Sequence, residues 1–415
     1  MARKVFILVV VVVAGLVGAN SHAQTAQARH ARLSGCEPAA PSRSGSTGSL
    51  AAIQNAFGFS LFDALFAGHA QSNVFLSPAS VALALDMAYD GARDGTQQAM
   101  ARTLGLQGMG QAQVRQRAAA LLTAWQTAPG SEGLTVANSL WARAGIPFRP
   151  QFLQDTKRFY GARVSSLDFH SPSAPATINA WVSCATNGKI ASIVNSIPPS
   201  IVMYLLNAVY FHGDWAAPFN SAATRPQPFT RGDGSQVTVP LMQNTSRFPY
   251  YHAANFEAIT LPYHTARFSM TVLLPSKGVT LASLGQHLTA AQWQSWTSHS
   301  QTRYGSLALP RFSLANDFQL NAPLRSLGMG HALDTHADFS GICRQRCRIS
   351  SVRHKTYLNV DENGTTAAGV TSIGVGITAV QTPQFHMVVD RPFLVSIQDS
   401  TTGSVLFFGA VNTPA

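Results

Sequence analysis

The sequence predicts an α+β protein built on large, mainly antiparallel β-sheets. Helical spacing dominates the first part of the chain and short β-branched runs dominate the later part. With 415 residues, 46% of them hydrophobic, and neither an internal repeat nor a dividing linker, the chain can bury one large core. The third observation is Gly364 to Thr382, GTTAAGVTSIGVGITAVQT, which has a strand's composition and carries no charge or proline. Asp361 and Glu362 before it and Pro383 after it bracket it as a loop. A loop that reads as a strand is a stored conformational change.

Taken in order, the chain opens with Arg3 and Lys4, an apolar run from Val5 to Val17 and the small-residue site Ser21-His22-Ala23. These are the three parts of a secretory signal, so residues 1–23 are expected to be removed and the protein to be secreted or periplasmic. The run is shorter than the roughly 20 apolar residues a bilayer span needs, and no comparable run follows, so no transmembrane segment is expected. Residues 24–48 are rich in Ala, Ser, Gly, Arg and Pro and read as a flexible leader. Leu33-Ser34-Gly35-Cys36 has the look of a lipoprotein box, but the polar stretch Asn20 to Arg32 separates it from the apolar run. Lipid anchoring through Cys36 is the lesser alternative.

Residues 49–415 are expected to form a single domain that starts folding near Leu50. Ile53, Phe57, Leu61, Leu65 and Phe66 recur at helical spacing, and Ser77-Pro78 supplies a cap and a first-turn proline for a second helix. Two helices should therefore precede the first sheet. Leu134 to Trp141, Ile201 to Phe211, Phe268 to Leu274, Ile349 to Val360, Phe393 to Ile397 and Val405 to Ala410 read as buried strands. Gln111 to Trp125, Ala176 to Ile190 and Leu281 to Trp296 read as helices between them.

The net charge of +11, or +9 without Arg3 and Lys4, is dispersed and mostly arginine. It suits solubility, and no aromatic-interleaved basic patch points to nucleic acid. Of four cysteines, Cys343 and Cys347 are placed for a local bridge, which would leave Cys36 with Cys184. Thirteen scattered histidines and no paired ligand spacing give no metal site. The chain lacks a G-x-S-x-G elbow, an H-E-x-x-H helix, a G-x-x-x-x-G-K-[ST] loop and a dinucleotide G-x-G-x-x-G. An enzyme is not expected; a hydrolase with a scattered triad would reveal itself by turning over a small ester.

Several local motifs stand in one order along the chain: Asn73-Val74-Phe75-Leu76-Ser77-Pro78-Ala79-Ser80, Asn207-Ala208-Val209-Tyr210-Phe211-His212-Gly213-Asp214-Trp215 and Asp390-Arg391-Pro392-Phe393-Leu394. With Leu261-Pro262-Tyr263, Leu309-Pro310-Arg311-Phe312, Ala337-Asp338-Phe339-Ser340 and His354-Lys355, they resemble the serpin family of serine protease inhibitors from about Leu50 to Pro414. The resemblance implies three mainly antiparallel sheets, about eight or nine helices, an exposed reactive-centre loop and a monomer. It identifies Glu362-Asn363-Gly364-Thr365-Thr366-Ala367-Ala368-Gly369, continuing through Val370 and Thr371, as the loop's hinge. Ser77, Ser80, Asn207 and His354 match a polar cluster beneath the main sheet, and Trp215, Arg311 and Glu362 match the place where the loop first enters it.

In serpins a protease attacks the loop, forms an acyl-enzyme and is carried off as the cleaved loop inserts into the main sheet. Alternate residues of an inserted strand face inward, and Thr365, Ala367, Gly369, Thr371 and Ile373 are all small or β-branched. Thr366 stands where inhibitory members commonly have glutamate and should face outward, while the larger Val370 should slow insertion. The family's spacing puts the reactive bond at Thr378-Ala379, flanked by Gly376, Ile377 and Val380. All are small or aliphatic, which implies an elastase-like or subtilisin-like protease, with a papain-like cysteine protease as a further partner. The competing reading is a non-inhibitory serpin, whose hinge would hold bulky, charged or proline residues. No cofactor is expected, since Gln111 to Trp125 offers a polyanion only Arg115 and Arg117. The arginine-rich composition suggests a bacterial source.

Overall fold

The computed structural model describes residues 5–14, 48–126, 133–344, 347–365 and 382–414. The elements run β1 (Val5–Ala14), α1 (Gly48–Phe66), β2 (Val74–Leu76), α2 (Pro78–Tyr89), α3 (Asp94–Leu104), α4 (Gln111–Gln126), β3 (Gly133–Arg143), α5 (Pro150–Tyr160), β4 (Arg163–Leu167), α6 (Ala174–Ala185) and β5 (Ile201–Asp214). They continue through β6 (Arg225–Thr230), β7 (Gln236–His252), β8 (Phe256–Pro262), β9 (Phe268–Pro275), α7 (Leu281–Gly285), α8 (Ala290–Ser298), β10 (Gln301–Pro310) and β11 (Phe312–Gln319). The last are α9 (Asn321–Leu324), α10 (Gly330–Leu333), β12 (Cys347–Val360), β13 (Gly364–Thr365), β14 (His386–Val388), β15 (Phe393–Asp399) and β16 (Ser404–Val411). Counting α9, the turn after it and α10 as one body, the described helices number nine.

The fold class is the expected one, α+β with three sheets. The main sheet runs β11-β12-β1-β5-β3-β4, with β13 pairing the upper end of β5. The other two, β14-β10-β7-β6 and β7-β8-β9-β15-β16-β2, share the 17-residue strand β7 and so join in one ladder.

Strand β5 shows why its sequence is an unbroken apolar run: both faces are covered. Tyr204, Leu206 and Ala208 pack with Ile178, Trp181 and Val182 of α6 on one side. Met203, Leu205 and Val209 join the principal core, to which α2 contributes Val81 and Leu85, on the other. Helix α2 starts as the sequence predicts, with Ser77 Oγ accepting from the Ser80 N–H and Pro78 in the first turn.

Three expectations need correction. The helix predicted over Leu281 to Trp296 is two helices: His287 takes a left-handed φ of 59°, and Thr289 begins α8 with a capping box to Gln292. The helix predicted to Ile190 stops at Ala185, because Asn187 and Gly188 turn with φ of 48° and 80°. Two helices do not precede the first strand. Short β2 separates α1 from α2, and residues 5–14 are themselves a central strand of the main sheet. Six valines in VFILVVVVVA give that run a high strand propensity.

Candidate functional site

The site is the seam between β5 and β12, from its upper end to its middle. At the upper end the chain leaving β12 turns back and pairs with β5, Gly364 opposite Asp214 and Thr365 opposite Gly213, antiparallel. The approach is close enough that a Cβ on Gly364 would lie 2.4 Å from the Gly213 carbonyl oxygen, and its φ is 153°. Only glycine fits there. The turn is fixed by backbone groups: the Trp215 N–H donates to the Asn363 carbonyl (2.9 Å), the Phe219 N–H to the Glu362 carbonyl (2.8 Å), and the Trp215 indole N–H to the Asp361 carbonyl (3.0 Å). Trp215 is buried and stacks on Tyr263 at 4.7 Å between centroids.

Glu362 is 4% exposed, and its Oε1 accepts from Arg311 Nη2 and Thr224 Oγ1, each at 2.6 Å. Burial alone would raise its pKa; the hydrogen bonds from Arg311 and Thr224 outweigh burial and hold the carboxyl below its ordinary value. Neighbouring Asp361 goes the other way. Burial raises it against hydrogen bonds from the Asn363 and Gly364 N–H groups.

In the middle of the seam a chain of neutral hydrogen bonds ties α2 to the sheet. The Ser77 N–H donates to His354 Nε2 (3.0 Å), Ser80 Oγ donates to Asn207 Oδ1, Asn207 Nδ2 donates to Asn138 Oδ1 (2.7 Å), and Asn138 Nδ2 donates to the Tyr160 carbonyl (2.7 Å). Ser77, Ser80, Asn207 and His354 are completely buried, so each needs these partners. Between β5 and β12 lies β1, parallel to both, with Val11 opposite Asn207 on one side and His354 on the other.

The structure thus brings Ser77, Ser80, Asn207 and His354 into one cluster and Trp215, Arg311, Glu362 and Gly364 into another. Thr366, Ala367, Ala368, Gly369, Val370 and Thr371 of the hinge, the bond Thr378-Ala379 and the flanking Gly376, Ile377 and Val380 lie outside the described residues; of Thr365 only the backbone is described. The far end of the loop is anchored where the Gln384 N–H donates to the Tyr304 carbonyl (2.8 Å) and Phe385 stacks on Tyr250. Sequence reasoning missed Asn138 and Thr224. A lone Asn in an apolar strand was the only signal for the first, and Thr224 had none.

Cys343 and Cys347 are joined by a disulfide, and Cys184 is disulfide-bonded too, while Cys36 lies outside the described residues. No group of three metal-binding side chains occurs among the described residues, and no described helix is long and apolar enough to cross a membrane. Arg115 of α4 is engaged internally with Asp90 and Asp155.

A family model described as "Serpin (serine protease inhibitor)" matches residues 52–414. Iripin-2 of Ixodes ricinus is 32% identical over 375 residues, 88% of this chain and 93% of that protein. The leukocyte elastase inhibitor of Sus scrofa is 32% identical over 378 residues, 88% of this chain and 99% of that one. Among solved structures, a thermophilic serpin, tengpin, in its native state superposes with a TM-score of 0.80 at 30% identity, covering 90% of this chain and 97% of that one. Human thyroxine-binding globulin complexed with thyroxine gives 0.80 at 26% identity, covering 89% and 100%. Ticks and mammals supply most of these relatives, so the bacterial source suggested by composition gains no support from them.

Proposed function

Because the chain belongs to the serpin family, described as serine protease inhibitors though not every member inhibits, we propose that it is a suicide-substrate inhibitor of serine proteases with a small apolar specificity pocket. The observation that carries this reading is the hinge. Gly364 and Thr365 already form the first two antiparallel pairs of a strand on β5, and the residues that would extend it carry no charge or proline. A thyroxine-binding relative shows that the fold also serves ligand carriage, but this hinge has the composition of a strand that can be buried.

The chemistry is the protease's own. Its serine oxygen attacks the Thr378 carbonyl carbon, the bond to the Ala379 nitrogen breaks, and Ala379 leaves as a protonated amine while Thr378 stays esterified to the enzyme. Release of the loop's far end lets residues from Thr366 onward add to the sheet between β5 and β12, a case of strand addition for which serpins are a known example. About fifteen residues at strand rise span about 50 Å, far enough to drag the enzyme across the inhibitor. A dozen new ladder bonds at about 1 kcal/mol each match a protein's whole stability and suffice to distort the captured enzyme.

The chain acts as a monomer without cofactor, exported to the periplasm or medium after cleavage behind Ala23. The test is incubation of the exported, processed protein with pancreatic elastase and, separately, subtilisin. A denaturant-stable complex and a released fragment beginning at or near Ala379 are expected. Cleavage of the loop by both enzymes with no complex would overturn the reading.

A further inference from the structure

The gap that the loop must fill is already occupied by another part of the same chain. Resting on the inhibitory reading above, we propose that the uncleaved N-terminal segment is a lock: Val5–Ala14, as β1, holds the gap between β5 and β12 and keeps the full-length chain from trapping proteases until that segment is removed.

The registers make the conflict explicit. On β5, β1 runs from Phe6 opposite Ile201 to Ala14 opposite Tyr210. On β12 it runs from Val5 opposite Cys347 to Val12 opposite Lys355. The hinge enters from above and antiparallel, Gly364 at Asp214 and Thr365 at Gly213. Each further loop residue must take the next position down β5, so Thr366 meets His212, Ala367 meets Phe211, and Ala368 requires Tyr210, which Ala14 holds. With β1 in place, insertion stops at Ala367. A protease esterified to Thr378, eleven residues further on (378 − 367), stays at the top of the molecule, where water completes hydrolysis.

The segment and the gap also suit each other. Two strands parted in the middle of a covered sheet leave a row of unpaired N–H and C=O groups on each edge, and buried groups of that kind must be satisfied. A single β-branched strand satisfies both rows. The sense of pairing differs, however: β1 is parallel to both neighbours, and parallel pairing is slightly weaker per residue than the antiparallel pairing the loop would make. Once a cut after Ala23 has removed the segment, the loop meets no competitor for a position it pairs with better. Export and activation then become one event, and proteases inside the producing cell are spared.

Two measurements on the full-length chain, retained unprocessed in the cytoplasm, test this. The first compares it with its Val9→Pro/Val11→Pro variant and with the exported, processed chain for denaturant-stable complex with elastase and subtilisin. Proline removes ladder donors from a central strand, so the variant and the processed chain are expected to give about tenfold more complex or better, while the unmodified full chain is cut without complex. The second places cysteines at the register partners Leu8 and Ser351 (Leu8→Cys/Ser351→Cys); the chain's own cysteines stay reduced in the cytoplasm, so the link is scored only by its own peptide pair. Mild oxidation should join them, seen as a linked peptide by mass spectrometry. Absence of the link, or trapping by the full chain equal to that of the processed chain, overturns the lock. Complex from none of the forms overturns the inhibitory reading and the lock's consequence with it, and the link then reports separately whether β1 fills the gap.

Discussion

Strand β5 is gripped in two different ways along its length. At its upper end Gly213 and Asp214 meet the hinge through backbone pairs and a contact so close that no side chain fits at Gly364. In its middle Asn207 adds to its ladder pairing a side-chain grip, in a buried relay from Ser80 to Asn138. The upper grip depends on shape, on a backbone approach that only glycine permits. The middle grip depends on completed hydrogen bonds in a dry interior, where a missing partner is expensive. The place where the loop first pairs is therefore separate from the place that keeps β5 and β12 in register with α2.

The sharpest way to break this comparison is Gly364→Val. A Cβ 2.4 Å from the Gly213 oxygen, at a φ of 153°, cannot be accommodated without moving the hinge off β5. Strain of about 1–3 kcal/mol at the first insertion step corresponds to roughly a 5-fold to 150-fold loss of stable complex. Gel densitometry of complex against cleaved inhibitor reads this, and thermal unfolding should barely move. Unchanged trapping would mean that the hinge pairing has no part in loop insertion.

A buried charge should behave differently from the neutral relay on the same helix. Asp86 of α2, wholly buried beside Gln54, is pushed up from 3.8 to about 7 by burial, and Asp90 to about 6 by burial that outweighs Arg115. Between 3.8 and about 7 the folded state keeps a proton that the unfolded chain has released, so this contribution is full below pH 4 and is lost as pH rises through 7. It amounts to no more than about 4 kcal/mol. Urea midpoints should fall from pH 5 to pH 8, and Asp86→Asn should flatten much of that slope. A slope unaffected by the substitution would assign the pH dependence elsewhere.

For the neutral relay, Asn207→Ala strands the buried Ser80 hydroxyl and Asn138 amide, at a cost of about 2–3 kcal/mol. A loss of several degrees in Tm is expected, with the same size at pH 5 and pH 8 because nothing in the relay between Ser80 and Asn138 titrates. A pH-dependent loss would mean that a titrating group takes part in the relay.

How much of this was legible in the sequence follows from what each element depends on. Ile201 to Phe211 declared itself because a strand covered on both faces is apolar at nearly every position, whereas Ile349 to Val360 showed through the alternation that its buried and half-buried positions follow. Strand β6 did not: Pro226, Pro228 and five exposed positions of six hide its pairing with β7. Ser77, Ser80, Asn207 and His354 were legible only through the motifs around them, since hydroxyls and amides look alike in a loop and in a core. Thr224 stands 138 residues from Glu362, a contact that no local pattern announces. Strand β1 was read as an export signal alone, because its pairing depends on a gap that exists only once β5 and β12 have been set apart.

The smallest effect belongs to the exposed half of the upper grip. Arg311 reaches Glu362 at 2.6 Å, but its side chain is 47% exposed, so solvent screens the pair and its worth is about 0.5–1 kcal/mol. Arg311→Ala leaves Glu362 the hydrogen bond from Thr224 and should change complex formation by no more than about fivefold, at the low edge of the effect of Gly364→Val. It should also let the Glu362 carboxyl rise from its depressed value. A depressed carboxylate stabilises above its unfolded pKa and loses that contribution as pH falls through the folded one, so the variant should differ from the native chain above pH 5 and converge with it in acid. If Arg311→Ala abolished trapping outright, the upper grip would depend on charge rather than on shape, and the contrast with the middle of β5 would fail.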